Sequence, residues 1–372
     1  MRSYAIMRYV IMVLILSVLT ACITIPEQYT YTSDVTEDQL IDGVSFLGVL
    51  ITERDLPSED VMKVTPEMDA FLDEYINIHN GLSKKARAIS KSIFDLDRLG
   101  LKYNPAATFT AGQTFENKNG NCLAFSILYN ALAKKAGLRV KFQEVDVIPS
   151  WDYADDALYV ESGHVNIRVG GIGSGDLIVD IDQISPEMQL SYTILEENHV
   201  IALYYGNVAA EKLLMNNNEE AFKYFVKAIK TKADIPSFWT NLGVLYRRTG
   251  NDDYAEKAYF TALKHDKRNQ AALNNLAFLY EEKGDKVQSD YYSKLVKSYQ
   301  NNNPYFRFVK AQKAVKKMDY QEALDHLEYA IRKKKKEPRF YKLKSDIHAS
   351  LGETRKALAA MRKANIFEAE AL

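Results

Sequence analysis

A period of 34 residues governs the C-terminal half of this chain. Ala221, Ala255, Ser289, Ala323 and Ala357 recur at that interval, as do Ala228, Ala262, Val296, Ala330 and Ala364. A third series, Ala209, Gly243, Ala277, Ala311 and Ser345, keeps a small residue in step, and a fourth, Asn216, Gly250, Gly284, Met318 and Gly352, keeps a turn in step. Five units run from about Ala202 to Ala371 without an insertion. Small residues at these spacings let two antiparallel helices approach closely. A unit this short cannot bury an apolar face alone, so neighbouring hairpins are expected to stack into an all-α solenoid with a continuous core and a concave face.

The period leaves a first half that needs its own account. At 372 residues, 47% hydrophobic and 26% charged, the chain suits two domains, each with its own core. A net charge of −1 argues against a dedicated nucleic-acid binder. The total hides an asymmetry: residues 27–100 carry 15 acids against 7 bases, and residues 304–372 carry 17 bases against 9 acids. Residues 1–21 read as an export signal, with Arg2 and Arg8 ahead of an apolar run, Tyr9 to Leu19, shorter than the roughly 20 residues a spanning helix needs. Leu19-Thr20-Ala21-Cys22 resembles the lipobox of bacterial lipoproteins, which implies lipidation of Cys22 and a membrane tether; an uncleaved signal anchor would tether the chain as well. Ile23 after that cysteine favours the outer membrane, facing the periplasm. Residues 22–64, polar and acidic, read as a lipidated N-terminus and spacer.

From Pro66 the pattern turns helical. Met68, Phe71, Leu72, Tyr75 and Ile76 share one face, and Ala86, Ile89, Ile93 and Phe94 share a face of the next helix. A Gly/Asn-rich turn precedes Cys122, and Leu123 to Ala136 form a strong helix signal closed by Gly137. Arg139 to Val147, His164 to Val169 and Asp176 to Asp182 alternate and read as strands, so this domain is expected to be α+β. Only two cysteines exist, and if Cys22 carries lipid, Cys122 has no disulfide partner. In an oxidising compartment such a thiol is either buried and inert or kept for chemistry.

Gly120-Asn121-Cys122 places the sulfur in the first turn of a helix, with Asn121 as its cap, where N–H groups and the helix dipole stabilise a thiolate. The thiol then needs a base and a group to orient that base. His79, His199, His265, His326 and His348 fall in or beside helical segments, which leaves His164 as the strand histidine. Pairing the strands on either side of Gly170–Gly175 so that His164 faces Asp180, Arg168 faces Asp176 and Val165 faces Val179 puts apolar residues on one face and polar ones on the other. A slip of one residue destroys that segregation. Asp182, on the same face, is the alternative carboxylate.

Gly120-Asn121-Cys122-Leu123, with Ala111 and Phe115 ahead of it, then Gln143-Glu144-Val145, Gly163-His164-Val165-Asn166 and Val179-Asp180, resembles the transglutaminase-like family over roughly residues 65–200. The resemblance implies a papain-related fold with Cys122 as nucleophile, His164 as base and Asp180 orienting His164. Trp239, Leu242, Gly243, Tyr246, Ala255, Tyr259 and Ala262 resemble the tetratricopeptide repeat up to its final proline, where Lys267 stands, and the third and fourth units are degenerate. Residues 201–372 are thus read as five tetratricopeptide repeats, which implies a protein or peptide partner. The combination resembles a group of bacterial lipoproteins.

Acyl transfer through a thioester follows from such a triad. Water as acceptor makes a peptidase or amidase, an amine makes a transamidase, and the sequence leaves both open, along with a non-catalytic adaptor. Gln113 and Asn121 are candidates for an oxyanion site and equally for capping. Ile148 to Ser162, with Trp151, Tyr153 and Tyr159, is expected to wall the cleft or to form an exposed loop. No cofactor or metal is expected: Asp152, Asp155 and Asp156 lack the spacing of a calcium loop, and Gly170 to Gly175 joins strands without a phosphate-loop Lys-Ser/Thr. Arg332 to Lys336 closes a helix, where positive charge is favourable.

Overall fold

The computed structural model describes residues 34–147, 164–172, 175–181 and 189–371. The segment with Cys22, the stretch with Trp151, Asp152, Tyr153, Asp155, Asp156 and Tyr159, and Asp182 lie outside them.

Four helices of seven residues or more stand in the described part of the N-terminal half. In α1 (Pro66–Tyr75) Thr65 accepts the Met68 N–H and Pro66 supplies a preset φ, while Met68, Phe71 and Leu72 are buried. Helix α2 (Leu82–Phe94) buries Ala86, Ile89 and Ile93. Helix α3 (Ala111–Asn117) occupies part of the stretch expected to be a turn, because Thr110 and Gln113 close a capping box at its start. Helix α4 (Cys122–Lys135) has every residue from Leu123 to Ala133 buried, so it is enclosed on all sides rather than laid on a surface. Gly137, at φ 83°, follows its end.

Strands β1 (Val140–Val147), β2 (His164–Ile172), β3 (Gly175–Val179) and β4 (Gln189–Leu195) form an antiparallel sheet in the order β3-β2-β1-β4. Phe142, Val165, Ile167, Val169 and Val179 share one apolar core with α4. The edge strand β4 was not among the expected strands.

The β2–β3 register differs from the expected one by two residues. Ile167 pairs with Val179, Arg168 with Ile178 and Val169 with Leu177, so neither His164–Asp180 nor Arg168–Asp176 is a direct pair. The cause lies in the glycines: Gly170 and Gly171 belong to β2 instead of the loop, the register shifts between Val169 and Ile172, and Gly171 sits at φ 75°. A slip of two leaves every side chain on its own face. The anticipated polar contacts survive as diagonals, with Arg168 Nε donating to Asp176 Oδ2 at 2.6 Å.

Five helical hairpins follow: α5 (Glu197–Leu214) with α6 (Asn218–Thr231), α7 (Pro236–Arg248) with α8 (Asp252–His265), α9 (Gln270–Glu282) with α10 (Lys286–Asn302), α11 (Pro304–Lys316) with α12 (Tyr320–Lys333), and α13 (Pro338–Ser350) with α14 (Thr354–Ala371). The periodic turn residue is the left-handed one in all five, with φ of 59° at Asn216, 80° at Gly250, 77° at Gly284, 61° at Met318 and 75° at Gly352. Three repeats use glycine there, Asn216 tolerates the conformation, and Met318 adopts it at a cost of about 1 kcal/mol.

From Val35 onward the chain is more than a spacer: it straps the first two hairpins. Phe46 stacks on Phe222 with ring centroids 4.8 Å apart, and the Tyr246 hydroxyl donates to the Leu40 carbonyl at 2.8 Å. Tyr205 donates to the Glu59 carbonyl at 3.1 Å. The acids counted in this stretch find bases on the second helices, Glu53 with Lys230 at 2.8 Å and Glu37 with Lys264 at 2.9 Å. Such exposed pairs contribute little, and the aromatic contacts hold the strap. The apolar core accordingly runs without a break from Leu40 across residue 200 to Val296, and a second cluster begins at Tyr305.

Candidate active site

Cys122 is the first residue of α4, partly exposed while the helix behind it is buried. Gly120 is required two residues earlier, because a Cβ there would stand 2.9 Å from the Ala124 Cβ and 3.3 Å from the Thr114 Cγ2. Asn121 caps the helix, its Oδ1 accepting the Ala124 N–H at 2.9 Å. The Gln113 side chain accepts the Thr110 N–H at 3.1 Å. Both residues weighed for an oxyanion role are therefore engaged in caps.

His164 opens β2, opposite Val145 of β1. Its Nε2 lies 2.6 Å from Asp180 Oδ2, and the Cys122 side chain is close enough to raise the pKa of the imidazole. The three residues singled out in the sequence thus come together in the order thiol, imidazole, carboxylate, although Asp180 lies just past the end of β3.

Two residues that sequence reasoning missed complete the arrangement. Asn166 Nδ2 donates to the same Asp180 Oδ2 at 3.1 Å; its position two residues from His164 on one strand face was the available signal. Ser126 Oγ donates to the Val165 carbonyl at 3.0 Å, which pins β2 to α4 one residue from His164 and one turn from Cys122. A hydroxyl among the apolar residues of the first two turns of α4 was its signal.

His164 is 6% exposed. Burial disfavours the imidazolium, but the hydrogen bond and charge of Asp180, with a further contribution from the nearby Cys122 side chain, outweigh it and push the pKa from 6.5 up to about 9. At neutral pH the ring is the cationic member of the cluster. The other described histidines serve elsewhere: His348 Nδ1 lies 2.6 Å from Glu353 Oε2 and His265 stacks on Trp239. Two surface cavities, of about 510 and 460 Å³, are lined by Phe46, Leu50 and Lys223 and by Arg139, Lys141 and Arg168, and neither includes Cys122.

Residues 308–368 match the tetratricopeptide repeat family. The C-terminal half is a tetratricopeptide-like solenoid. No curated protein matches the chain. Among solved structures the chain is similar to the APC/C hetero-tetramer Cut9–Hcn1 (19% identity, 45% of this chain and 33% of that one, TM-score 0.26). It is also similar to YrrB, described as a TPR protein with an unusual peptide-binding site (17% identity, 45% and 86%, TM-score 0.25), and to MamA from Desulfovibrio magneticus RS-1 (12% identity, 47% and 97%, TM-score 0.26). The chain thus spans a third of the first of these. The first helix of the array meets the N-terminal half where Lys134 of α4 pairs with Glu197 of α5.

Proposed function

We propose that Cys122, His164 and Asp180 form a transglutaminase-like acyl-transfer site in a lipid-anchored envelope protein, and that the tetratricopeptide array presents a protein or peptide to it. The observation that carries this reading is His164 Nε2 held 2.6 Å from Asp180 Oδ2, with Cys122 at a helix mouth near enough to raise the pKa of that imidazole.

The chemistry follows from that order. The Cys122 thiolate adds to the carbonyl carbon of an amide, and the oxyanion that forms is met by N–H groups at the start of α4. As the tetrahedral species collapses, the imidazolium of His164 gives its proton to the departing amine, leaving a thioester and a neutral ring. Water or a second amine then attacks the thioester, His164 takes up the proton it loses, and the thiolate leaves. Asp180 holds the ring in orientation throughout, and Asn166 holds Asp180. An array acting as a scaffold without catalysis is the rival reading, favoured by the repeats alone.

Alkylation of intact cells at graded pH tests the proposal. Cys122 is expected to react at pH 6–7 faster than the same thiol in the urea-unfolded chain, whose reference pKa is about 8.5. A folded thiol that reacts only at alkaline pH, or not at all, leaves the scaffold. Fractionation of the same cells tests the anchor: the native chain should sediment with membranes and Cys22→Ser should not.

A further inference from the structure

A hydrogen-bond chain runs from the first repeat to the cap of the nucleophile's helix. Glu211 lies on α5, the first helix of the first hairpin. Its Oε1 accepts the Thr108 N–H at 3.1 Å. Asn121 Nδ2 in turn donates to Thr108 Oγ1 at 2.8 Å, while Asn121 Oδ1 accepts the Ala124 N–H at 2.9 Å. The Asn121 N–H is fixed as well, donating to the Ala107 carbonyl at 2.9 Å.

The direction of each bond follows from chemistry. Glu211 fixes the Thr108 backbone through its N–H, which places the Thr108 hydroxyl oxygen where it accepts from the Asn121 amide nitrogen. That choice of amide rotamer leaves Oδ1 as the atom facing the helix, which is what an N-cap requires. Thr108 and Asn121 are 96% and 92% buried, so there is little water to replace a lost partner. Glu211 stands 103 residues from Thr108 in the chain, and neither α1, α2 nor the sheet supplies another bond to this carboxylate among the described hydrogen bonds.

We infer that Glu211 is a positioning residue for Cys122: the tetratricopeptide array, through this one carboxylate, sets the rotamer of the cap that orders the first turn of α4. This rests on the reading of Cys122 as a nucleophile and adds that the site is incomplete without the first repeat. A partner that shifts α5 would act on the thiol along the same path.

The test measures alkylation of Cys122 by iodoacetamide at pH 7 in the full chain, with circular dichroism to show that each variant is folded. Glu211→Ala is expected to slow the reaction about 10-fold, the size of effect that losing a helix-cap contact produces. Glu211→Gln, which keeps an acceptor oxygen for Thr108, should restore most of the rate. Thr108→Val should reproduce the loss, and the double variant Glu211→Ala/Thr108→Val should be no slower than either single one, because both break one path. A folded Glu211→Ala protein with wild-type kinetics overturns the inference, as does a double variant in which the two losses multiply. If wild-type Cys122 reacts no faster than in the unfolded chain, the nucleophile reading fails and takes this one with it. A fast wild type with indifferent Glu211 and Thr108 variants sinks this inference alone.

Discussion

Replacing His164 by alanine is expected to slow acylation of Cys122 by an amide probe roughly 10²–10⁴-fold, the range spanned by general acid–base groups. The loss has two parts that a choice of probe separates. An amide must have its nitrogen protonated before it can leave, whereas an activated ester such as a p-nitrophenyl ester loses its alcohol unaided. The ester should therefore lose less than the amide, and a mass spectrum of the thioester at Cys122 reads both. Asp180→Asn is expected to fall between the native chain and His164→Ala, since Asn166 can still donate to the oxygen of residue 180 and the sheet still holds the His164 backbone in place. Equal acylation rates in the native and His164→Ala proteins would remove the acid role altogether.

The pH profile carries the same signature. His164 is raised from 6.5 to about 9 in the folded chain, so its proton is stabilised by folding. The stability this contributes is whole below about pH 6.5 and is lost as pH rises through about 9. Amide acylation, which uses that proton, should fall over the same upper limb, and the limb should vanish in His164→Ala. Unfolding midpoints and acylation rates measured between pH 6 and 10 would then move together in the native chain, while in the variant both would lack the limb at 9.

Much of this site was legible in residues 120–180 because each of its parts announces itself locally. A capped helix start shows in Asn121-Cys122, and the apolar run behind it shows enclosure. Face assignment on β2 and β3 survived an error of register, since a strand's side-chain period is two and the slip was also two. What the sequence could not supply was where the turn between those strands falls: Gly170 and Gly171 fit a loop as readily as a strand, and the backbone pairing decided it. The repeats were legible for a different reason. Each hairpin meets the next in the same way, so one packing solution is written five times, down to the left-handed residue between its helices.

Contacts between distant parts of the chain were silent. Glu211 reads as an ordinary helix acid and Thr108 as a loop hydroxyl, and only their meeting across 103 residues gives either a role. The strap is similar. Acidic composition pointed to a solvated spacer, but Phe46 and the carbonyl of Leu40 find Phe222 and Tyr246 about 200 positions away, at rings that a repeat pattern explains well enough without them.

The hairpin of the second repeat offers the largest stability effect. Gly243 is where α7 meets α8: a Cβ there would stand 2.5 Å from Tyr259 Cε1, and Tyr259 is fully buried. Adding one methyl improves helix propensity by about 1 kcal/mol, but forcing apart a packed ring costs about 1–3 kcal/mol. Since this ring has no room to give, Gly243→Ala is expected to destabilise. Tyr259→Ala should cost more, about 3–5 kcal/mol, because it empties a space the size of a ring. The decisive measurement is the double variant, followed by urea denaturation. If steric conflict with Tyr259 is the reason for glycine, the new methyl loses its opponent and lines the void, so Gly243→Ala/Tyr259→Ala should be no less stable than Tyr259→Ala alone. Additive losses in that cycle would mean that glycine is needed at 243 for its backbone, and that the small-residue series has another cause.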